Sequence, residues 1–462
     1  MRESRFLSSN WLLRQSHLRV ESSAKARPKM TRRLRQAPVR AASICLNAPS
    51  LMTNRPAPLS AATRRTILLL SFATFSSMAA QRICDAMLPE LARVFAVSLA
   101  QAAQVVSLFA ITYGVSQLLY GPLGDRLGKF RIITFGTLGC SIASLVAVFA
   151  SSLDVLLLAR ILMALGAAAM IPLAMAWVGD AVPPDQLQET LTRTGLGTTL
   201  GIVGGQLVGG LLTDALGWRA PFVFMTLLFG VVGGLLYAEL RRQRAAPAKI
   251  EVHHQAVVRH GFIRQMLLII IGPWSRIILL MAVVEGAAGF GVLAMWASHL
   301  HRALGLSLSL AGAIVALFGL GGMLYMVVGR HLIRRFRQQG MVLSGGVIVG
   351  VCALVFAVTP HWLPAIPASL FAGFGFFMFH NSIQANAAQM APNARGTAVA
   401  LFSSCMFLGQ SIGVVLAASL IDRIGTGAVV ALGGGVMALE GMIFAWALRR
   451  REVRAKEAEF TA

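Results

Sequence analysis

Between Thr66 and Leu448 the chain alternates long apolar runs with short polar stretches, and the runs recur at the length a bilayer asks for. A hydrocarbon core of about 30 Å takes roughly 20 apolar helical residues. Twelve runs fit, at 66–88, 100–120, 132–151, 155–177, 195–215, 220–239, 277–297, 309–329, 341–359, 363–387, 397–419 and 427–448. The pattern therefore predicts an all-α membrane protein with twelve transmembrane helices.

Composition agrees, since 56% of the 462 residues are hydrophobic and only 13% are charged, too few for an ordinary soluble surface. The formal charge of +23 invites a nucleic-acid partner, but the basic residues do not gather into one patch. They fall on alternate connections: Arg64 and Arg65; Arg126, Lys129 and Arg131; Arg241 to Arg264, including Lys249 and Arg259; Arg330 to Arg337; and Arg449 to Arg451. The opposite connections hold little beyond Arg93, Arg302 and Arg423. By the positive-inside rule both termini and the central connection are cytoplasmic, and no nucleic acid is called for. Residues 1–51 carry eleven Lys/Arg and two acids, hence +9, without an apolar run long enough to span. With Met52 standing fourteen residues before the first span, they read as an over-extended start or a disordered basic tail, or alternatively as an organellar targeting segment. Cys45, Cys84, Cys140, Cys352 and Cys405 show no CxxC spacing and read as apolar packing residues, with no metal site.

The long polar stretch from Arg241 to Arg276 divides the spans six and six, and the halves answer each other. GPLGDRLGKF at 121 is matched by GRHLIRRFRQ at 329, with Arg126 over Arg334 and Ile333 where the first copy has Asp125. RILMALGAAAMIP at 160 is matched by SLFAGFGFFMFHN at 369, and GQLVGG at 205 by GQSIGV at 409. Three matches in order indicate a duplication, and such repeats mark transporters whose substrate path lies between the halves.

On these residues the chain resembles the major facilitator superfamily over about residues 60–450. GPLGDRLGKFR is similar to the family's motif between helices 2 and 3, with Gly121, Asp125, Arg126, Gly128, Lys129 and Arg131 in place. ICDAMLPELARVF at 83 and RILMALGAAAMIP at 160 resemble first-helix and fourth-helix motifs of drug-efflux members, and the segment from His380 resembles bacterial sugar or drug efflux permeases. Met163 and Ala164 depart from the fourth-helix motif, and Gln206 replaces the proline of an antiporter-associated Gly-Pro. The resemblance implies two pseudo-symmetric six-helix bundles at 61–240 and 276–450, preceded by the tail of 1–60, joined by a cytoplasmic loop at 241–275 and followed by a cytoplasmic tail at 451–462. It also implies a monomer, and a gate in which Asp125 latches the halves on the cytoplasmic side when the cavity opens outward.

Ionisable residues inside spans are site candidates, because burying a charge in hydrocarbon costs several kcal/mol without a partner. Glu285, about 14 Å into the seventh span, is a proton-coupling candidate or else a structural carboxyl hydrogen-bonded between helices. Asp85, about 30 Å from Arg65, is a second coupling candidate or the partner of Arg82 in a local pair near the membrane surface. Arg160 either snorkels to the interface or, as the resemblance implies, faces the substrate cavity. His380, Asn381 and Gln384 on the tenth span serve helix packing or contact substrate. Glu440, in a helix the family places at the periphery, is expected to be packed and either protonated or paired. Gly201, Gly205 and Gly209 have small-xxx-small spacing for close helix approach, with Gln206 and Gln410 as cavity candidates beside that seam.

No Walker, HExxH or GxSxG motif stands in a fitting context, so neither an enzyme nor a cofactor is indicated. The expected function is proton-coupled efflux of a small organic compound across the bacterial inner membrane. Proton symport or facilitated uptake with the same fold, and a membrane sensor or scaffold without flux, are the alternatives. The aromatics of FGFFMFH, at 374–380, suit an apolar cavity or lipid-facing packing equally.

Overall fold

The computed structural model describes residues 59–245 and 262–461, so the expectations for residues 1–58, including Cys45, and for Lys249 and Arg259 lie outside it. Among the described residues every regular element is helical. The first half holds α1 (Ala61–Arg82, continued by a short helix Leu88–Val94), α2 (Leu99–Leu127), α3 (Lys129–Val148), α4 (Leu153–Ala181), α5 (Pro184–Leu216) and α6 (Ala220–Ala245). A short helix, Phe262–Ile271, leads into the second half: α7 (Pro273–Leu304), α8 and α9 as the two arms of Leu308–Val358, α10 (Ala365–Gln389), α11 (Arg395–Ile424) and α12 (Thr426–Thr461). The twelve expected spans are all present and most run beyond the apolar runs, α12 continuing far past Leu448.

The ends and breaks follow from local chemistry. Proline has no amide hydrogen and its ring collides with the carbonyl four residues back. Pro89 sits four residues after Asp85, where α1 opens into a turn over residues 83–87. Pro172 likewise sits four residues after Ala168, where α4 is interrupted. Between α2 and α3 the expected loop motif shrinks to one residue: the chain is helical through Leu127, Gly128 takes φ +91°, and helix resumes at Lys129. The corresponding break between α8 and α9 falls on Arg337 at φ +54°, a region that favours glycine.

Packing repeats as the sequence does. Gly201, Gly205 and Gly209 of α5 lie against the α1 backbone at Phe75, Ala79 and Ile83. In the second half Gly409 and Gly413 of α11 lie against Val283 and Ala287 of α7. Between halves, α5 packs on α8 and α2 on α11. Interior serines and threonines donate back to carbonyls of their own helices, as Thr137 does to Ile133 and Ser382 to Met378, so few hydroxyls meet the apolar interior unpaired. The outside is apolar: Ile142, Leu227 and Val327 are exposed around the bundle, as suits a multi-pass membrane protein with lipid for its solvent.

A side chain at Gly209 would collide with the carbonyl of Ile83, whereas one at Gly139 would meet nothing within 4 Å. Gly209→Val should therefore cost about 1–3 kcal/mol, as overpacked cores do. Melting of the purified protein should fall for this variant and stay at the wild-type temperature for Gly139→Val.

Candidate functional site

The turn that Pro89 imposes on α1 sets one polar cluster in the interior of the first half. Arg82 Nη1 donates to Asp85 Oδ2 at 3.3 Å, and both side chains are 0% exposed. The pair is thus enclosed in protein rather than left at an exposed helix end, because α1 does not stop there but continues to Val94. Gln206 Nε2, carried by the glycine-lined face of α5, donates to the same carboxylate oxygen at 2.9 Å. Arg160 of α4 does not snorkel: Nη1 donates to Ala80 O at 2.7 Å, Nε donates to Val105 O at 3.1 Å, and the guanidinium lies 4.1 Å over the Phe109 ring. It is within electrostatic reach of Asp85, so two arginines share one carboxylate.

A second cluster belongs to the second half. His380 Nδ1 of α10 lies 2.7 Å from Glu285 Oε1 of α7, with Glu285 fully buried and His380 13% exposed. Beyond Glu285, α7 leaves the α-helical register for a π-helical stretch, Gly286–Gly291, of the kind often found at functional sites. That stretch delivers Phe290 to the first cluster, where the Arg82 guanidinium lies 4.3 Å over its ring. Phe290 packs on Phe376 at 4.6 Å, and Phe376 stacks on His380 at 5.8 Å. An aromatic bridge therefore runs from one buried ion pair to the other, and FGFFMFH is interior packing around it, Phe376 and Phe379 being fully buried.

The halves also meet directly. Gln81 Nε2 donates to Gln410 Oε1 at 3.1 Å, and Ser107 and Ser411 are joined at 2.8 Å. At the face opposite the start of α1, Asp214 Oδ2 accepts the backbone N–H of Ser309 at 2.6 Å, and Gly210 lies against Leu308. At the face where α1 starts, the ion pairs of the described residues stay within one half: Arg65 with Glu239 at 2.8 Å, and Lys129 with Asp180 at 2.5 Å and Asp125 at 3.5 Å.

Of the candidates, Asp85, Arg160 and Gln206 are thus brought together, and Glu285 with His380. Gln410 is placed against α1 rather than beside Gln206. Asn381 of α10 lies beside Tyr325, half-buried, and Gln384 is half-buried further along the same helix. Gly121, Asp125 and Arg126 stand on the last turns of α2 rather than in a loop. Sequence reasoning missed Gln81, Phe290 and Asp214; Gln81 carried a signal, a glutamine beside Arg82 in an apolar run.

The family model of the Major Facilitator Superfamily matches residues 70–405. Multidrug resistance protein D of Escherichia coli (strain K12) is 26% identical over 385 residues, covering 82% of this chain and 93% of its own length. The uncharacterized MFS-type transporter YceJ of Bacillus subtilis (strain 168) is 25% identical over 344 residues, covering 72% and 83%. Among solved structures, a bacterial homolog to the human lysosomal transporter Spinster, in an inward-facing and unoccupied conformation, superposes with a TM-score of 0.68 at 18% identity, covering 84% of this chain and 96% of its own. That likeness carries the fold alone.

Removing one partner of a buried pair leaves an uncompensated charge, which costs about 3–5 kcal/mol. Asp85→Asn should lower thermal stability by that order. The double variant Arg82→Gln/Asp85→Asn should recover part of the loss in the same melting assay.

Proposed function

The chain belongs to the Major Facilitator Superfamily, and we propose that it is a secondary transporter exporting a small organic compound in exchange for protons, by alternating access. The observation that carries the coupling is the Glu285–His380 pair. A carboxylate fully enclosed in a membrane interior needs either a positive partner or a proton. His380, the exposed member, is the route by which a proton reaches Glu285. With Glu285 ionised, a charged imidazole must stay beside it, which holds α7 against α10. With Glu285 neutral that demand is lifted, and α7 is free to shift against α10, carrying Phe290 relative to Arg82 of the first half. Asp85 and Arg160 tune the other side of the path through the shared carboxylate, the aromatic bridge and Arg82.

Export is supported by two relatives, multidrug resistance protein D and a chloramphenicol resistance protein of Pseudomonas aeruginosa that is 37% identical over 136 residues. The alternation of basic and neutral connections supports a reading with both termini cytoplasmic, and membership of the family supports a monomer in the bacterial inner membrane. The face held by Asp214 and Ser309 is then the outer one, and Asp125, paired with Lys129 in its own half, belongs to a latch not engaged in this state. Gln206 favours a second reading, proton symport or facilitated uptake, because a glutamine amide holds Asp85 where an antiporter-like seam would have proline. Accumulation rather than loss of compound in intact cells would favour that direction.

Everted membrane vesicles with an imposed pH gradient, offered a panel of efflux-pump substrates, test the main reading. Wild-type vesicles should accumulate at least one compound, and Glu285→Gln should fall to the level seen without a gradient; wild-type rates in this variant would overturn it. In the same vesicles Asp125→Asn should change the turnover rate more than the half-saturating concentration.

A further inference from the structure

Four carboxyls are buried among the described residues: Asp85 pairs with Arg82, Glu285 with His380 and Glu239 with Arg65, while Glu440 has no ion-pair partner. It sits on α12 and is 1% exposed, so it does not face lipid. Neither of its oxygens has a side-chain hydrogen-bond partner among the described residues. α12 runs along the π-helical stretch of α7: Gly433 lies against Val292, and Met437 Sδ would stand 3.5 Å from a side chain at Gly289. The two helices run antiparallel, so Glu440, one turn beyond Met437, and Glu285, one turn before Gly289, fall on adjoining turns. Glu285 Oε1 is taken by His380, while Glu285 Oε2 is also without a partner.

The groups that face this pair are few. On α10 there is His380; on α11 the only titratable side chain between Arg395 and Asp422 is Cys405; on α9, which packs on α12 at Gly346, the only one between Arg337 and Val358 is Cys352; on α7 the next charged residues are Arg276 and His299, more than two turns away in each direction. Arg82 reaches the region only through the rings of Phe290 and Phe376. Toward the end of the bundle that carries the termini, Phe444 stacks on Trp274 at 6.0 Å, and the Arg451 guanidinium lies 4.5 Å over Trp274, closing Glu440 off from that side. Contact with water runs through Glu285 and then His380, the only exposed member of the group.

We propose that Glu285 and Glu440 form a two-carboxyl site that shares one proton, with Glu440 as the inner member and His380 as the mouth. Two buried carboxyl groups on adjoining turns, with one imidazole between them and water, cannot both be ionised. The proton is held between them as O–H on one carboxyl, and it passes to the other without leaving the protein. Ionisation of Glu285 toward His380 therefore leaves Glu440 neutral, and a second proton entering through His380 protonates Glu285 as well. This rests on the coupling role given to Glu285, and it makes Glu440 a positioning residue for that proton rather than a group that meets substrate.

The test is an infrared titration of the full-length protein in lipid, following the C=O stretch of protonated carboxyl groups. Strongly coupled carboxyls titrate in two macroscopic steps separated by more than about one pH unit. Wild type should show both steps; Glu440→Gln should leave a single step at intermediate pH. Because coupling is reciprocal, Glu285→Gln should collapse the steps in the same way, so either variant serves if the other does not fold. Glu440→Asp should restore two steps. A step assigned to Glu285 that stays at its wild-type pH in Glu440→Gln would overturn the shared site and leave Glu440 a packing residue. If the steps collapse as stated while everted vesicles show no proton-driven flux, the shared proton stands and the coupling role falls. If flux is proton-driven but the steps do not collapse, only the shared site falls.

Discussion

A charge in hydrocarbon costs several kcal/mol unless another group answers it, and the interior of this bundle is arranged around such answers. Asp85 answers Arg82 at 3.3 Å and is itself held by Gln206. His380 answers Glu285. Arg160, with no carboxylate of its own, is answered by two backbone carbonyls and the face of Phe109. Each answer comes from a different helix or from a break in the same one, so these interactions also fix how the helices are rotated about their axes. Apolar packing brings the helices together; the buried charges decide which sides face each other.

The glycine seams make that arrangement possible. A carboxylate on α1 meets an amide on α5 only because Gly205 and Gly209 let the two backbones approach so closely. The same device recurs between α11 and α7, where the glutamine copy, Gln410, turns outward to its counterpart's neighbour Gln81. One duplicated sequence thus yields two outcomes: an amide that steadies a buried acid within its own half, and an amide that fastens one half to the other.

How much of this was legible beforehand depends on the range of the interaction. The twelve spans follow from local hydropathy, and the Arg82–Asp85 pair from a spacing of three along one segment. The breaks in α1 and α4 were written in Pro89 and Pro172. The meeting of Glu285 with His380, 95 positions apart, was not readable, because it depends on the rotational phase of two helices set by packing elsewhere. The extension of α1 to Val94 altered the reading of Asp85 from surface to interior, and the helical continuation of α2 through Leu127 turned an expected loop into the end of a rod. Phe290 carried no signal at all, since nothing in GAAGFG announces a π-helical register.

The break at Arg337 bears on how the second half came to be. Its first-half counterpart bends at Gly128, a residue free to take positive φ, yet here a β-carbon occupies the bend and the chain bends regardless. The path between α8 and α9 is therefore imposed by the helices on either side. A residue without glycine's freedom therefore stands at this corner, and it is one that carries a charge. A corner enforced from outside in this way can drift in sequence without loss of shape, which is how two halves with little identity left still trace the same course.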